Sequence, residues 1–432
     1  MSLVMSLRGR GPAGSAARTA KVLARFGATT AAMVQRLERY DAITSELGIR
    51  PTWPTTACVL ARHPEVLQRF AALGAEIPVH GLVHGDHAAM DRQRQRDTIG
   101  RAMELFARAG LEPTGFRGPY LRYNEATLEV LRELGFRYHS SQAVHFPLRS
   151  EATPGYELAL ELYSAIDAQD VALVPRLRDG LVDMPVAIPD DETLVERLRW
   201  TECAAASQWC QMLDLTHSRG DLFTLQLHPE RIPELGNALQ AVLGEARRRM
   251  PKIFIARLDE IASWWLRRSR FRLTVTRLGD CRYRIHTDAD ADATLLVRGL
   301  AIASEPWYGR DQRTGRFDFE TRSPRMPVVG VSGRSPDAVR SFLAEEGLPF
   351  ETSDDATAYG AYVDIATSRW SEGEVLREIE AAPGPLVRIW RWPEGMRSAL
   401  AVSGDIDALT LRDFITRSWE TRSTLFRGWT RS

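Results

Sequence analysis

Two hydrophobic periodicities alternate along residues 29–265. Between Thr29 and Leu47 the apolar side chains recur at helical spacing, whereas residues 221–228 alternate apolar and polar side chains with the period of a strand. By the same criteria the predicted helices span 29–47, 63–73, 94–109, 124–134, 191–218 and 237–249, and the predicted strands span 56–60, 76–80, 114–117, 136–140, 180–186, 221–228 and 252–256. Such alternation of strands and helices predicts a parallel sheet or barrel of the α/β class.

The pattern changes near Arg267. Residues 271–276 and 281–286 alternate like antiparallel strands, and they predict a small β-rich module. A compact α/β unit is predicted from Val328 onwards, after a stretch rich in proline and glycine. The last apolar run, at 398–403, predicts a buried strand that ends in acidic residues.

Composition narrows the class of protein. The chain has 432 residues, of which 44% are hydrophobic and 26% charged, as in folded globular domains. With 56 basic and 56 acidic side chains it has no net field that favours nucleic acid. We expect a cytoplasmic protein, because no secretory signal is recognisable at the amino terminus and the four cysteines lack the spacing of paired sites.

A histidine pair provides the first candidate chemistry. His80 and His84 follow a predicted strand, in a loop that also contains Gly81 and Gly85. Neutral imidazoles are good ligands for zinc-like cations, and α/β folds build their sites at the carboxyl ends of strands. A histidine pair that is merely solvated or satisfied in the core is the alternative, and the position after a strand favours the metal site.

Two acids end the last predicted strand. Asp405 and Asp407 share side-chain parity, so both carboxylates are expected at the same edge of the sheet. As an alternative, Asp407 could cap a following helix. His228 and Arg117 also stand at strand ends; a structural histidine and a surface charge are their respective alternatives.

Taken together, these motifs resemble the polysaccharide deacetylase (NodB-homology) family of carbohydrate esterases. A histidine pair spaced like His80 and His84, the Arg117-Gly-Pro-Tyr120 element and the Leu-His-Pro sequence around His228 occur in the order typical of the family. The resemblance covers about residues 28–265, and it implies an irregular (β/α) barrel with a divalent metal, most often Zn²⁺.

The family's first strand, which ends in aspartates, has no counterpart upstream of residue 29. Residues 399–407 resemble it closely, so we expect a circularly permuted barrel that the carboxyl-terminal strand completes. The family usually has adjacent aspartates, but Ile406 separates them here, which leaves both assignments of the two acids open. The predicted units are the main part of the barrel at 1–266, a small β-rich module at 267–326, a small α/β module at 327–395, and a strand and helix completing the barrel at 396–432.

The resemblance implies a metal-dependent hydrolase of a non-peptide carbon–nitrogen bond that deacetylates an N-acetylated sugar or glycan precursor. Hydrolysis of another amide or a cyclic imide, and a non-catalytic glycan-binding role, are the alternatives. The implied roles are metal ligation by Asp407, His80 and His84, proton abstraction by Asp405 oriented by Arg117, oxyanion stabilisation by the Tyr120 backbone N–H, and proton donation by His228.

The expected partner is therefore a carbohydrate or another small amide, and no nucleic acid. Residues 412–432 mix arginine with tryptophan and phenylalanine, which would suit contact with an anionic membrane. A helix that packs on the barrel and exposes a basic face explains the same composition, and we favour it.

Overall fold

The computed structural model describes residues 25–367 and 369–421. The main helices are α1 (Ala31–Glu46), α2 (Ala57–Arg62), α3 (Pro64–Ala72), α4 (Arg92–Arg108), α5 (Glu125–Glu133), α6 (Pro154–Tyr163), α7 (Glu202–Arg219), α8 (Ile232–Arg248), α9 (Leu258–Arg268), α10 (Asp337–Glu345), α11 (Glu372–Ala381) and α12 (Leu411–Glu420). The strands are β1 (Gly115–Phe116), β2 (Tyr138–His145), β3 (Ile166–Asp167), β4 (Arg176–Arg178), β5 (Leu181–Ile188), β6 (Leu222–Gln226), β7 (Ile253–Ile255), β8 (Arg272–Gly279), β9 (Arg282–Asp288), β10 (Leu295–Arg298), β11 (Glu305–Tyr308), β12 (Asp311–Thr314), β13 (Asp318–Arg322), β14 (Met326–Val331), β15 (Phe350–Thr352), β16 (Tyr359–Val363), β17 (Leu386–Ile389) and β18 (Ser398–Ser403).

The carboxyl-terminal strand β18 lies inside the sheet built by the first half of the chain. It pairs in parallel with β6 on one side, where Ala399 is opposite Leu222, and with β7 on the other. All its residues are buried. A strand buried on both faces reads as a continuous apolar run, and this explains the sequence of residues 398–403.

An irregular barrel follows from the remaining pairings. Bridges join Ser403 at the end of β18 to Thr52, and Thr55 to Val79, so the extended segments 52–55 and 76–79 continue the sheet towards β1. β1, β2 and β5 are then joined in parallel. β5 and β6 lie side by side, but within the described residues no ladder joins them. The predicted fold class, an irregular (β/α) barrel, is confirmed.

Some local predictions were wrong. Residues 57–62, placed in a strand at 56–60, form helix α2, whose buried residues are Ala57, Val59 and Leu60. A short apolar run cannot distinguish a buried strand from one face of a short helix. In the proline- and glycine-rich stretch at 306–327, where no element was predicted, the structure has β12 and β13.

The described residues between the barrel and the carboxyl-terminal strand form three further sheets, one of which has the strand order β13-β9-β8. β17 pairs antiparallel with β10, which precedes it by almost ninety residues, and joins the sheet β11-β12-β10-β17. β14 pairs in parallel with β15 and β16 to form a separate small sheet. The boundary between the units at 267–326 and 327–395 stays a prediction.

A buried arginine attaches these sheets to the barrel. Arg391 donates to Oδ1 of Asp221 at 2.8 Å and to Oε2 of Glu346 at 2.7 Å, and only 2% of its side chain is exposed. Asp221 precedes β6 of the barrel, whereas Glu346 follows α10 of the middle region. Buried charges are tolerated when they are paired in this way.

The end of the chain is described only in part. Among the described residues no helix has both the length and the apolar character needed to cross a bilayer. α12 exposes 61% of Ile415 and 71% of Trp419. Residues 422–432, which supply most of the basic and aromatic side chains behind the membrane alternative, lie outside the described residues.

Candidate metal centre

The two ends of the chain meet at three side chains. His80, His84 and Asp407 each offer one ligand atom, and these atoms lie within 4.8 Å of one another. Nε2 of His80 is 3.4 Å from Oδ1 of Asp407, and Nε2 of His84 is 3.3 Å from Oδ2 of the same carboxylate. No other group of three or more such side chains converges in this way within residues 25–367 and 369–421.

Local structure explains how each ligand reaches this position. His80 directly follows the extended segment 76–79, and Gly81 turns the chain with a φ of 76°. A β-carbon at Gly81 would lie 3.0 Å from the carbonyl oxygen of Val83, so the turn requires glycine. Asp407 emerges beyond β18 and does not cap a helix; the N-cap of α12 is Thr410.

The free atoms of the three side chains fit a divalent ion. Nδ1 of His80 donates to the carbonyl oxygen of Arg117 at 2.8 Å, so in a neutral imidazole Nε2 is the nitrogen without a proton. Nε2 of His80 and Oδ1 of Asp407 are buried, and no described residue hydrogen-bonds either atom. Ligands about 2.1 Å from a tetrahedral ion lie about 3.4 Å apart, close to the separations found here. The donor set, two imidazoles and a carboxylate, is one that zinc accepts.

Burial and neighbouring side chains together determine the protonation states of His84 and Asp407. Burial lowers the pKa of His84 well below its ordinary value, so the imidazole is neutral and able to ligate. Burial alone would raise the pKa of Asp407, but the interactions of its carboxylate with His84, Arg417 and His80 outweigh burial and lower that pKa well below the ordinary value. Asp407 is therefore ionised.

Asp405 occupies a different environment two residues away. Its Oδ1 accepts from Nη1 of Arg117 at 3.3 Å, and its Oδ2 accepts from Nε2 of Gln226 at 3.0 Å. Oδ2 also lies 3.6 Å from Nε2 of His80. Arg117 is fixed in turn, because its Nε donates to the backbone oxygen of Ser140 at 2.8 Å. The structure thus places Asp405 beside the three candidate ligands and holds its orientation.

His228 lies at the same cleft with a partner that the sequence did not reveal. Its Nδ1 is 2.8 Å from Oδ1 of Asp191, whose other oxygen is 3.1 Å from Nε of Arg231. Burial lowers the pKa of His228, but Asp191 outweighs it and raises that pKa well above the ordinary value. His228 is therefore protonated at neutral pH, as a proton donor must be.

Tyr120 lines the cleft beside His84. Its backbone is in the left-handed region at φ 61°, and its ring meets that of His84 edge-on at 4.3 Å between centroids. The cleft has a volume of about 110 Å³. It is lined by residues from both ends of the chain, among them Phe26, Tyr163, His228, Asp405, Asp407, Phe414 and Arg417.

The structure brings all seven predicted site residues to one place, and sequence reasoning missed three that contact them. Asp191 follows β5 in a Pro-Asp-Asp sequence, Gln226 lies on the predicted polar face of β6, and Arg417 lies on α12. The polar alternation of β6 was a usable signal for Gln226, because it shares a face with His228. Nothing in the local sequence marks Asp191 or Arg417 as neighbours of the site.

The structure thus combines an irregular (β/α) barrel with a His-His-Asp group that could hold a metal ion, and comparison with known proteins adds to this description. Residues 11–139 match the family model "Polysaccharide deacetylase". Within this range the chain is similar to the polysaccharide deacetylase family. The match includes His80, His84, Arg117 and Tyr120, and it does not extend to Asp407.

Two curated relatives share the same region. The chain is 30% identical over 125 residues to the Peptidoglycan deacetylase-like protein FGM2 of Gibberella zeae. That alignment covers 28% of this chain and 37% of the relative. The chain is 26% identical over 141 residues to the Peptidoglycan deacetylase of Helicobacter pylori, covering 31% of this chain and 46% of that protein. The chain therefore spans less than half the length of these relatives.

A solved structure is also similar. A crystal structure described as a polysaccharide deacetylase from Mycobacterium smegmatis has 24% sequence identity and a TM-score of 0.44, and the alignment covers 56% of this chain and 81% of that one.

Proposed function

We propose that the protein is a metal-dependent hydrolase that removes the acetyl group from an N-acetylated sugar or glycan precursor. The observation that carries the proposal is the approach of Asp407 to His80 and His84, from opposite ends of the chain, at distances suited to one ion. The relatives' names, which describe peptidoglycan deacetylases, support a glycan substrate.

Each of the seven predicted site residues has a role in this proposal. A Zn²⁺ or similar ion, held by His80, His84 and Asp407, would supply Lewis acidity and an activated water. Asp405 takes the proton of the attacking water, and Arg117 keeps its carboxylate oriented.

Two further groups act on the charge that develops during hydrolysis. The backbone N–H of Tyr120, at the turn that borders the cleft, is suited to stabilise the oxyanion. His228, kept protonated by Asp191, donates a proton to the departing amine. Acetate and a free amino sugar are then the products.

The permutation belongs to the same proposal. β18 is flanked by β6 and β7, and beyond it the chain bridges to Thr52 and Thr55. We infer that β18 takes the position of the family's first strand, because it delivers the aspartates that residues 1–139 do not supply. The sheets at 267–395 would then be the connection that carries the chain back to the barrel.

One observation favours a second candidate function. Nη1 of Arg417 donates to Oδ2 of Asp407, so a side chain already neutralises this carboxylate. A glycan-binding module without catalysis would use such a pair in place of the ion. Metal content therefore distinguishes the two candidates.

The test combines metal analysis with acetate release from N-acetylglucosamine oligomers. The wild-type protein should bind one Zn²⁺ per chain and release acetate. Asp407→Asn should lose both properties, whereas Asp405→Asn should keep the metal and lose about 10²- to 10⁴-fold in kcat. Glu394→Gln, which changes an exposed acid away from the cleft, is the control and should match wild type.

Full metal binding by Asp407→Asn would contradict the assigned ligand. If the wild-type protein binds metal and hydrolyses a cyclic imide but releases no acetate, the proposed metal site stands and the proposed substrate is wrong.

A further inference from the structure

A permanent positive charge contacts the carboxylate that is proposed to ligate the metal. Arg417, on α12, donates from Nη1 to Oδ2 of Asp407. The same oxygen lies 3.3 Å from Nε2 of His84. The side chains of Arg417 and Asp407 are only 16% and 13% exposed, so solvent screens this contact weakly.

Contacts that do not involve Asp407 hold α12 over the cleft. The ring of Phe414 stacks on Phe26 with 5.3 Å between centroids, and the backbone N–H of Leu411 donates to the carbonyl oxygen of Gly27 at 3.0 Å. Asp413 forms a capping box with Thr410 at the start of the helix. The fold itself therefore delivers Arg417 to the metal centre.

The guanidinium and a divalent ion would share one carboxylate. Each attracts Asp407, and the two cations repel each other across a short, partly buried distance. A hydrogen bond to Oδ2 also withdraws from the carboxylate some of the electron density that an ion would use. Both effects weaken metal binding while Arg417 remains in place.

We propose that Arg417 competes with the metal ion for Asp407, so that the seating of α12 regulates metal occupancy. This inference rests on the proposed function, since it takes His80, His84 and Asp407 as the ligands. Coupling between two binding events is reciprocal. Metal binding should therefore loosen α12, and loss of the Arg417 charge should tighten metal binding.

The test measures Zn²⁺ affinity of the full chain by chelator competition. Arg417→Gln removes the charge and should bind Zn²⁺ about tenfold more tightly than wild type, or more, within the range usual for coupled sites. Arg417→Lys keeps the charge and should stay close to wild type. Arg412→Gln is the matched control, because Arg412 is an exposed arginine on the same helix.

A second measurement uses the wild-type protein alone. Amide hydrogen exchange in α12 should become faster when Zn²⁺ is added, and this result does not depend on any variant folding. Equal or weaker Zn²⁺ binding by Arg417→Gln, or slower exchange in α12 with Zn²⁺, would overturn the competition. Absence of Zn²⁺ binding by both wild type and Arg417→Gln would overturn the proposed metal site as well, so the two failures can be told apart.

Discussion

Asp405 and Asp407 are two residues apart and have different partners. Asp407 faces the two histidines, whereas Asp405 is held between Arg117 and Gln226. A ligand needs a free oxygen that faces the ion, and a general base needs an oriented carboxylate within reach of the bound water. The surroundings therefore favour Asp407 as ligand and Asp405 as base.

The Asp191–His228 pair predicts the pH dependence of catalysis at the alkaline end. Removing the Asp191 charge leaves burial to lower the pKa of His228, so Asp191→Asn should move the alkaline limb of the kcat/KM profile down by about one pH unit or more. Glu234→Gln is the control, because Glu234 contacts Arg231 and belongs to the same charged group. An unmoved limb in Asp191→Asn would show that His228 is not the proton donor.

The same pair contributes to stability with a defined sign. Because the folded protein raises the pKa of His228, the contribution is complete below its ordinary value of 6.5. It is lost as the pH rises through the raised pKa. Unfolding of wild type and Asp191→Asn in urea at several pH values should therefore show a stability difference that shrinks in strongly alkaline solution.

At the residue scale, the sequence predicted the site residues that stand at the end of a predicted strand. His80, His84, Arg117 and His228 each follow an apolar run, so pattern and residue type pointed to the same edge of the sheet. Asp191 could not be found in this way. Its role depends on the path of the loop after β5, which no local pattern specifies.

At the scale of elements, β18 shows why the carboxyl-terminal strand was recognisable. It is buried on both faces between two parallel neighbours, and only apolar or small side chains fit there. The segment at 56–60 was wrongly predicted to be a strand because its apolar run is short. Its apolar residues are buried by one face of a short helix, and their number was too small to define a period.

The attachment of the middle sheets to the barrel predicts a large effect from one buried arginine. Arg391→Met would leave Asp221 and Glu346 short of a buried cation, and the free energy of unfolding in urea should fall by about 3 to 5 kcal/mol. Arg267→Met is the control: this arginine is half-exposed and pairs with Asp290 and Asp292, so its loss should cost about 1 kcal/mol at most. Equal losses would show that Arg391 does not hold the two parts together.

At the scale of the whole molecule, we expect folding and metal binding to depend on the position of β18 in the barrel more than on the order in which the segments of the chain are connected. The backbone contact between Leu411 and Gly27 brings α12 to the start of the described barrel. A chain in which residues 396–432 precede Met1 would therefore reach the same fold through a different connection.

We expect this rearranged chain to fold and to bind Zn²⁺ with the affinity of wild type, as measured by circular dichroism and chelator competition. Asp407→Asn in the rearranged chain is the control and should lose the metal. A folded rearranged chain that binds no Zn²⁺ would show that β18 needs its original connection to complete the site.

Sequence alone could not supply the arrangement of the middle region. β17 pairs with β10 across a long separation in sequence, and such pairings are specified by tertiary packing. Apart from β18, the barrel was easier to predict because its strands and helices alternate along one continuous part of the chain.

Anomalous diffraction from crystals grown with Zn²⁺ tests most directly the claim that the two ends of the chain form one metal centre. The account predicts one strong peak per chain, about 2.0–2.2 Å from Nε2 of His80, Nε2 of His84 and a carboxylate oxygen of Asp407. A peak held by the two histidines without Asp407, or no peak between these side chains, would contradict it.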